Sequence, residues 1–191
     1  LFSSATLDAL LTAAETLIKK KLPHGKLCIG FTPDEEIGEG ASLFDVEGFG
    51  AAYAYTVDGE ELSEINYETF NAASAKWEVN GFNIHPGSAK NMMINASLVA
   101  MEINSMLPSG DTPAHTEGYE GFFHCVALNG TVENARISYI IRDHDSERFE
   151  QKKVWMWSCV DLLQKRYGKD VLKLTLKDQY FNMRKMVEPH P

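Results

Sequence analysis

Two short acidic motifs could bind a metal ion. The stretch FTPDEEIGEG places Glu35 and Glu36 directly behind the apolar run at residues 27–31, and Asp58 follows a second apolar run at residues 51–57. Adjacent carboxylates repel each other, so a fold that holds them together usually supplies a cation or a shared proton. Converging oxygen donors suit a hard or borderline divalent ion such as Zn²⁺. In this interpretation one glutamate binds the ion, and its neighbour acts as general base toward the water that the ion activates.

A solvated acidic loop is the alternative interpretation of the DEE triplet, because charged runs usually face water. The neighbouring residues favour a site. Pro33 keeps the chain extended before the glutamates, and Gly38 and Gly40 allow the backbone to approach a bound group closely. The sequence therefore predicts that Glu35 and its two acidic partners form a site, and it leaves the solvated loop open.

Two further side chains could contact a substrate. His85 stands before a Pro-Gly step at the end of a predicted strand, where an imidazole could donate a hydrogen bond to a developing oxyanion. A lone histidine could equally be structural or merely exposed. Arg142 ends another predicted strand, and its planar guanidinium could hold a substrate carboxylate in two hydrogen bonds. As a structural residue, Arg142 would instead pair with Asp143 or Asp145.

The elements that must position these residues begin with an α/β pattern. Apolar residues at helical spacing predict a helix from about Leu7 to Lys21, followed by a Pro-His-Gly stop. The apolar runs at residues 27–31 and 51–57 predict two buried strands. Helix, strand, loop and strand are typical of an α/β sheet, in which ligands bind outside the carboxyl ends of the strands. The two acidic motifs both fall at that edge.

From about Tyr67 the pattern changes to strands of period two and longer helices. The order is β-α-β-β-α-β, which is typical of a ferredoxin-like domain with an antiparallel sheet and both helices on one face. The fold class is therefore α/β with a ferredoxin-like α+β domain. The predicted elements are strands at residues 73–79, 122–128, 135–141 and 172–176, a helix at 89–107, and a helix from Asp145 or Ser146 to about 167 that directs Phe149, Val154, Trp157, Val160 and Leu163 inward.

Composition and charge restrict the partners. The 191 residues carry a net charge of −9, which argues against a nucleic-acid partner because phosphate binding needs a basic surface. No apolar run approaches the roughly 20 residues that span a bilayer, so no membrane partner is expected. Cys28, Cys125 and Cys159 are far apart and odd in number. We expect reduced core thiols in a cytoplasmic protein.

Six runs of the sequence resemble the peptidase T family, whose members are tripeptide aminopeptidases of the dinuclear zinc aminoacylase and carboxypeptidase superfamily. The resemblance extends from about Leu17 to Pro191. It implies a metallo-aminopeptidase in which a zinc-peptidase catalytic domain, at residues 1–66, is interrupted by a ferredoxin-like lid at 67–180, with a return segment at 181–191. The runs are FTPDEEIGEGASLFDV, AYTVDG, FNAASAKWEVNGFNIHPGSAKNMMINA, TEGYEGFFH, NGTVENARISYIIRDHDSERFE and DQYFNMRKMVEPHP.

The resemblance implies that the acids take part in zinc chemistry. Glu35 looks like the general base, Glu36 like a ligand of one zinc ion, and Asp58 like a ligand of the other. Two zinc ions are expected per full-length subunit. The family's HxD histidine, its bridging aspartate and its last histidine have no match in this chain. We therefore expect an incomplete zinc site, and an inactive chain that is a piece of something longer.

The resemblance also implies roles for residues of the lid. His85 resembles the lid histidine that reaches the active site of the partner subunit and stabilises the oxyanion. Arg142 resembles the arginine that binds the carboxyl end of the tripeptide substrate, and Asn95 resembles an asparagine beside it. The lid makes a homodimer in this family. Its outer strand edge or its exposed helix face would then be apolar. Trp155 and Trp157 are candidates, and one of the two could equally lie in the core.

Two alternatives remain open. Because zinc ligands are missing, the chain could be a catalytically dead module whose use is self-association through the lid. It could also come from a related hydrolase of the same superfamily, a dipeptidase or a deacylase of acylated amino acids.

Overall fold

The computed structural model describes residues 4–33, 40–41, 43–57 and 64–189. The chain divides into two compact units, Leu1–Glu64 and Ile65–Pro191. None of the described helices is long and apolar enough to cross a membrane. The elements in chain order are α1 (Ser4–Lys20), α2 (Val46–Phe49), β1 (Asn71–Asn80), α3 (Ala96–Ser105), β2 (Phe122–Gly130), β3 (Asn134–Asp143), α4 (Ser146–Tyr167), β4 (Leu172–Tyr180) and α5 (Arg184–Val187).

The first unit contains α1 and α2, and its described residues form no strand. The predicted first helix is confirmed as α1. The strands predicted at residues 27–31 and 51–57 are wrong, since the described residues there have no regular structure. A strand is held by hydrogen bonds to a neighbouring strand. An apolar run does not by itself provide a neighbouring strand. Among the described residues of this unit, no segment pairs with either run.

The second unit is a four-stranded antiparallel sheet in the order β2-β3-β1-β4. The central strands β1 and β3 pair over their whole length, from Asn71 opposite Asp143 to Asn80 opposite Asn134. The predicted ferredoxin-like arrangement is confirmed. It follows from the period of two, because alternate side chains of each strand turn to the same face and can be covered by helices there.

The core lies between one face of this sheet and the helices α3 and α4. Trp77 of β1 is fully buried, and Phe149 of α4 is 1% exposed. Complete burial of one such side chain contributes roughly 1.5–3 kcal/mol. Other core residues are Ala73, Ala75, Val79, Val99, Ile103, Ile137, Tyr139, Ile141, Met156, Cys159 and Leu163. The opposite face of the sheet carries the alternate, mostly polar residues of the strands, Arg142 among them.

Several boundaries differ from the predictions. α3 begins at Ala96 and not near residue 89, because Asn95 caps it and Ile94 forms an isolated bridge with Phe82. The turn between β2 and β3 lies at residues 131–133 and not at Asn129-Gly130. There the hydroxyl oxygen of Thr131 accepts hydrogen bonds from the backbone N–H groups of residues 133 and 134. These hydrogen bonds place the turn at residues 131–133, and the periodicity of the sequence does not reveal them.

Two residues predicted to face inward from α4 do not. Val154 is 62% exposed and Trp157 is 48% exposed. Met156 and Cys159 take the buried positions instead, because the angular position of a long helix is set by packing against the sheet and not by apolarity alone. The cysteines are all free, as expected, but only Cys159 is a core thiol. Cys125 is exposed.

Candidate substrate-binding residues at the two ends of the sheet

The structure places the predicted lid residues at opposite ends of β1. Arg142 pairs with Ala72 at the first end, which we call the arginine end. Asn80 lies eight residues farther along β1, which corresponds to a distance of about 26 Å at the usual rise per residue of a β-strand. His85 and Asn95 follow that second end, the histidine end. The expectation that Asn95 lies beside Arg142 is therefore wrong within one chain.

Arg142 is held on the open face of the sheet by three acceptors and one aromatic ring. Its Nη1 donates to the backbone oxygen of Ile141 at 3.0 Å, to that of Ala73 at 3.4 Å, and to Oε1 of Gln179 at 3.2 Å. The guanidinium carbon lies 5.4 Å from the ring centre of Tyr180. Among the described residues, no partner faces Nε or Nη2. That edge of the guanidinium is available to a ligand.

The acids near Arg142 are occupied elsewhere. Asp143 is 1% exposed, its Oδ1 accepts from the backbone N–H of Asp145 at 3.0 Å, and its Oδ2 lies 3.6 Å from Nζ of Lys152. Asp145 caps α4 by accepting from the N–H of Arg148 at 2.8 Å. The pairing of Arg142 with Asp143 or Asp145, the structural alternative, does not form. The guanidinium charge is not neutralised by a described carboxylate.

A second cation stabilises the end of β4. Nζ of Lys153 lies 2.9 Å from Oδ1 of Asp178 and 2.7 Å from Oε1 of Glu150. Burial lowers the pKa of Lys153, but its hydrogen bonds with Glu150 and Asp178 outweigh that effect, so the pKa lies above the ordinary value for lysine. Asp178 is thereby fixed next to the residues that contact Arg142.

The buried amide of Asn71 and the half-buried amide of Asn182 join the chain segments at the arginine end. Asn71 is 1% exposed, and its Nδ2 donates to the backbone oxygens of Asp143 at 3.0 Å and His144 at 3.1 Å. Its Oδ1 accepts from the N–H of Asn182 at 2.9 Å. The side chain of Asn182 in turn donates to His144 and accepts from the N–H of Thr69. These bonds fix the start of β1, the end of β3 and the segment after β4, and so the place of Arg142.

At the histidine end, His85 caps a short 3-10 turn at Pro86–Ser88. Its Nδ1 accepts a hydrogen bond from the backbone N–H of Gly87 at 3.1 Å. An accepting Nδ1 carries no proton, so the neutral ring has its hydrogen on Nε2. The side chain is exposed. This arrangement leaves Nε2–H as a donor that faces away from the turn.

Asn95 is the N-cap of α3. Its Oδ1 accepts from the N–H of Leu98 at 3.3 Å, which uses the acceptor and leaves the amide NH₂ as a donor. The backbone around it is close-packed: a Cβ added to Gly81 would lie 2.2 Å from the oxygen of Val132 and 2.5 Å from that of Ile94. Both predicted residues of this end can therefore donate hydrogen bonds.

The predicted metal ligands lie outside this description. Glu35, Glu36 and Asp58 are not among the described residues, so their convergence stays a prediction. Within the parts of the chain that the structure describes, no group of three His, Cys, Asp or Glu side chains is placed to hold a metal ion.

Sequence reasoning missed the partners of Arg142, which are Gln179 and Tyr180. The polar run Asp178-Gln179 interrupts the alternation of β4, and that interruption is the one local signal. It does not show which strand lies alongside, because strand register depends on residues more than 30 positions away in the chain.

Three comparisons place the chain among known proteins. The sequence model of the peptidase dimerisation domain family, M20_dimer, matches residues 67–171. The chain is 53% identical to Peptidase T of Clostridium novyi (strain NT) over 94% of this chain and 44% of that protein. It is 48% identical to Peptidase T of Bacillus subtilis (strain 168) over 98% of this chain and 46% of that protein. The chain thus spans about half the length of the curated relatives it matches.

Solved structures show the same fold. Aminopeptidase PepT from Bacillus cereus ATCC 10987 superposes with a TM-score of 0.74 and 21% identity, covering 93% of this chain and 48% of that one. A tripeptidase from Staphylococcus aureus subsp. aureus Mu50 superposes with a TM-score of 0.69 and 17% identity, covering 92% and 48%. The resemblance to peptidase T is confirmed, and, because the family match covers more than half of its residues, the chain belongs to the peptidase dimerisation domain family.

Proposed function

We propose that this chain is the central part of a zinc-dependent tripeptide aminopeptidase, which removes the N-terminal residue of a tripeptide with a metal-activated water. One observation carries the proposal. About half of the residues are identical to proteins named Peptidase T over 94–98% of the chain. Zinc, the tripeptide substrate and a cytoplasmic location are the finer parts of the proposal, and each awaits its own test.

Arg142 is proposed to bind the C-terminal carboxylate of the peptide. Its Nη1 is anchored by Ile141 and Gln179, and no described residue occupies Nε or Nη2. A guanidinium edge with two parallel N–H groups matches the two oxygens of a carboxylate. Because the side chain is half-buried, the ion pair would be less screened than one on an open surface.

The distance between the two ends supports a site shared by two subunits. An extended tripeptide spans about 10 Å at most, whereas about 26 Å of β1 separates the two ends. His85 and Arg142 of one chain are therefore not expected to contact the same tripeptide. We propose a homodimer through the lid, in which Nε2–H of His85 donates to the oxyanion in the partner subunit's site, and Asn95 assists from the same end.

Two surfaces suit such a dimer. The outer edge strand β2 exposes Val126 at 49% and Leu128 at 48%. On α4, Trp155 and Trp157 are each 48% exposed, and Nε1 of Trp155 donates to the backbone oxygen of Met106. Exposed apolar groups along a strand edge and a helix are typical of surfaces that associate.

The zinc part of the proposal rests on the resemblance. Glu35 is proposed as general base, and Glu36 and Asp58 as ligands of a two-zinc site. Zinc, when bound, would supply a Lewis acid that lowers the pKa of its water. Among the described residues, no group of three metal-ligating side chains is placed to hold the ion. The proposed roles of the described residues are carboxylate binding by Arg142 and hydrogen-bond donation by His85. The isolated chain is proposed to be inactive, since the other ligands expected in the family have no match in it.

The test uses the full-length protein that contains this chain, with Ala-Ala-Ala as substrate. Activity should disappear with a chelator and return with Zn²⁺. His85→Ala and Arg142→Ala should each abolish it, and a reassorted mixture of the two variants should regain about a quarter of wild-type activity, because half of the dimers then contain one intact site. Activity that survives metal removal contradicts the enzyme proposal. A mixture that stays inactive contradicts the shared site.

A self-association module without catalysis is the second candidate, favoured by the missing zinc ligands. Calorimetric titration of the full-length protein with Zn²⁺ separates the two, and tight binding of two ions would contradict the inactive module. A dipeptidase or deacylase is a third candidate. Comparing dipeptides, tripeptides and acylated amino acids as substrates of the full-length protein distinguishes it.

A further inference from the structure

β4 contains a bulge beside Arg142. Ala73 of β1 pairs with Asp178, and the preceding Ala72 pairs with Tyr180, so Gln179 is an extra residue between two consecutive pairs. In an unbroken strand, successive side chains point to opposite faces, and Gln179 and Tyr180 could not both lie on the open face. The bulge removes that restriction, as bulges near functional residues do.

Both residues at the bulge contact the guanidinium, in different ways. Oε1 of Gln179 accepts a hydrogen bond from Nη1 of Arg142 at 3.2 Å. The ring of Tyr180 lies with its centre 5.4 Å from the guanidinium carbon. The hydrogen bond holds Nη1, and the contact with the ring restricts the movement of the guanidinium group. Together they limit the orientations that the group can take.

The bulge is anchored from the other face of the sheet. Asp178 precedes the extra residue, and its two carboxylate oxygens accept from Nζ of Lys153 at 2.9 and 3.1 Å. Lys153 is only 12% exposed and lies 4.7 Å from the ring centre of Phe149 in the core. The position of Gln179 is therefore tied to α4 through its neighbour.

We propose that Gln179 and Tyr180 are positioning residues that orient Arg142 for a peptide carboxylate. The inference rests on the proposed role of Arg142 and deepens it. Nη1 binds Gln179 and the two backbone oxygens, and the edge formed by Nε and Nη2 has no acceptor among the described residues. A carboxylate then meets a guanidinium that is already oriented, and less conformational freedom is lost on binding.

The test measures carboxylate binding by the 191-residue chain, without hydrolysis. Ala-Ala-Ala and its C-terminal amide are titrated while the Nε–H resonance of Arg142 is followed by NMR, with Arg142→Lys to assign it. The free acid should shift the resonance and the amide should not. Gln179→Ala and Tyr180→Leu should each raise the dissociation constant about threefold or more. Tyr180→Phe, which keeps the ring, should stay within about twofold.

Gln151→Ala, an exposed glutamine on α4, is the matched control and should bind as the wild type does. The midpoint of urea denaturation shows whether each variant is folded. If Tyr180→Leu does not fold, the inference is tested with Gln179→Ala alone. Unchanged dissociation constants in folded variants overturn the inference, as does a wild-type chain that binds acid and amide equally. In the full-length protein the same variants should raise KM and leave kcat within about twofold. Loss of hydrolysis on metal removal tests the proposed function separately.

Discussion

The two ends of the sheet are built in different ways. At the arginine end the chain segments are joined by side chains, the buried Asn71 and its partner Asn182 above all. At the histidine end they are joined by the backbone: the N–H of Gly81 donates to Glu133 at 2.7 Å, and that of Ala96 to Val132 at 2.9 Å. The first end depends on particular side chains, and the second depends on the close approach of main chains.

The two ends should therefore tolerate different substitutions. Removing a buried amide leaves its former partners without hydrogen bonds in the interior, which costs free energy. Adding a methyl group where backbones touch forces them apart, which also costs free energy. Truncation of the buried amide should therefore damage the arginine end, and an added Cβ at Gly81 should damage the histidine end. Substitutions at the two ends test this contrast, and Gly81 should show the greatest loss of stability.

Gly81→Ala should lower the free energy of unfolding by roughly 3 kcal/mol, because the new Cβ would lie 2.2 and 2.5 Å from two backbone oxygens that accept hydrogen bonds from the N–H groups of Ala96 and Phe82. Urea denaturation of the 191-residue chain measures it. Gly110→Ala is the control, since nothing lies within 4 Å of the added carbon, and it should change stability by less than about 0.5 kcal/mol. Equal effects for the two variants would refute the claim about the histidine end.

Asn71→Ala should lower the free energy of unfolding by about 2 kcal/mol, because the backbone oxygens of Asp143 and His144 and the N–H of Asn182 lose a buried partner. The same urea experiment applies. The matched control at the histidine end is Asn83→Ala, whose exposed amide makes one long contact of 3.5 Å with Glu133. We expect a change below about 0.5 kcal/mol there, and comparable losses at both asparagines would contradict the contrast.

The arginine end should also weaken at alkaline pH. The pKa of Lys153 is raised above its ordinary value of 10.5, so its contribution is fully present below that value and is lost as the pH rises through the raised pKa. We expect a contribution below about 1 kcal/mol, since one of its partners is largely exposed. Urea midpoints of the wild type and of Lys153→Met, measured at about pH 8 and pH 11, should converge at the higher pH. A constant difference between them would count against this role.

His85→Gln should have the smallest effect on stability, below about 0.5 kcal/mol, because the side chain is exposed and caps a single 3-10 turn. If His85 acts on an oxyanion, the same change in the full-length protein should lower kcat about 100-fold. A large loss of stability with little loss of activity would mean that His85 is a structural residue.

Much of the second unit could be predicted from local patterns. The alternation in β3 and the caps of α4, Asp145 and Gly168, lie within a few residues of the structures they determine. The position of Arg142 at the end of a strand was predictable for the same reason. Its contacts were not, because Gln179 reaches it through a bulge in a strand 37 positions later in the chain.

The first unit illustrates the opposite case. The apolar runs at residues 27–31 and 51–57 resemble buried strands, yet none of the described residues of this unit forms a strand. Side chains such as Phe31 and Tyr53 are exposed at 51% and 66%. Apolarity indicates that a segment is suited to burial, but the hydrogen bonds that make it a strand come from other segments.

By itself the sequence determined what depends on neighbours along the chain: the period of each strand, the ends of α4, and the motifs shared with peptidase T. The tertiary structure decided what depends on pairing between distant segments. It placed His85 and Asn95 at one end of β1 and Arg142 at the other, and it brought Gln179 and Tyr180 to the guanidinium. The physical reason is that strand register is selected by the whole packed sheet, and no single segment contains that information.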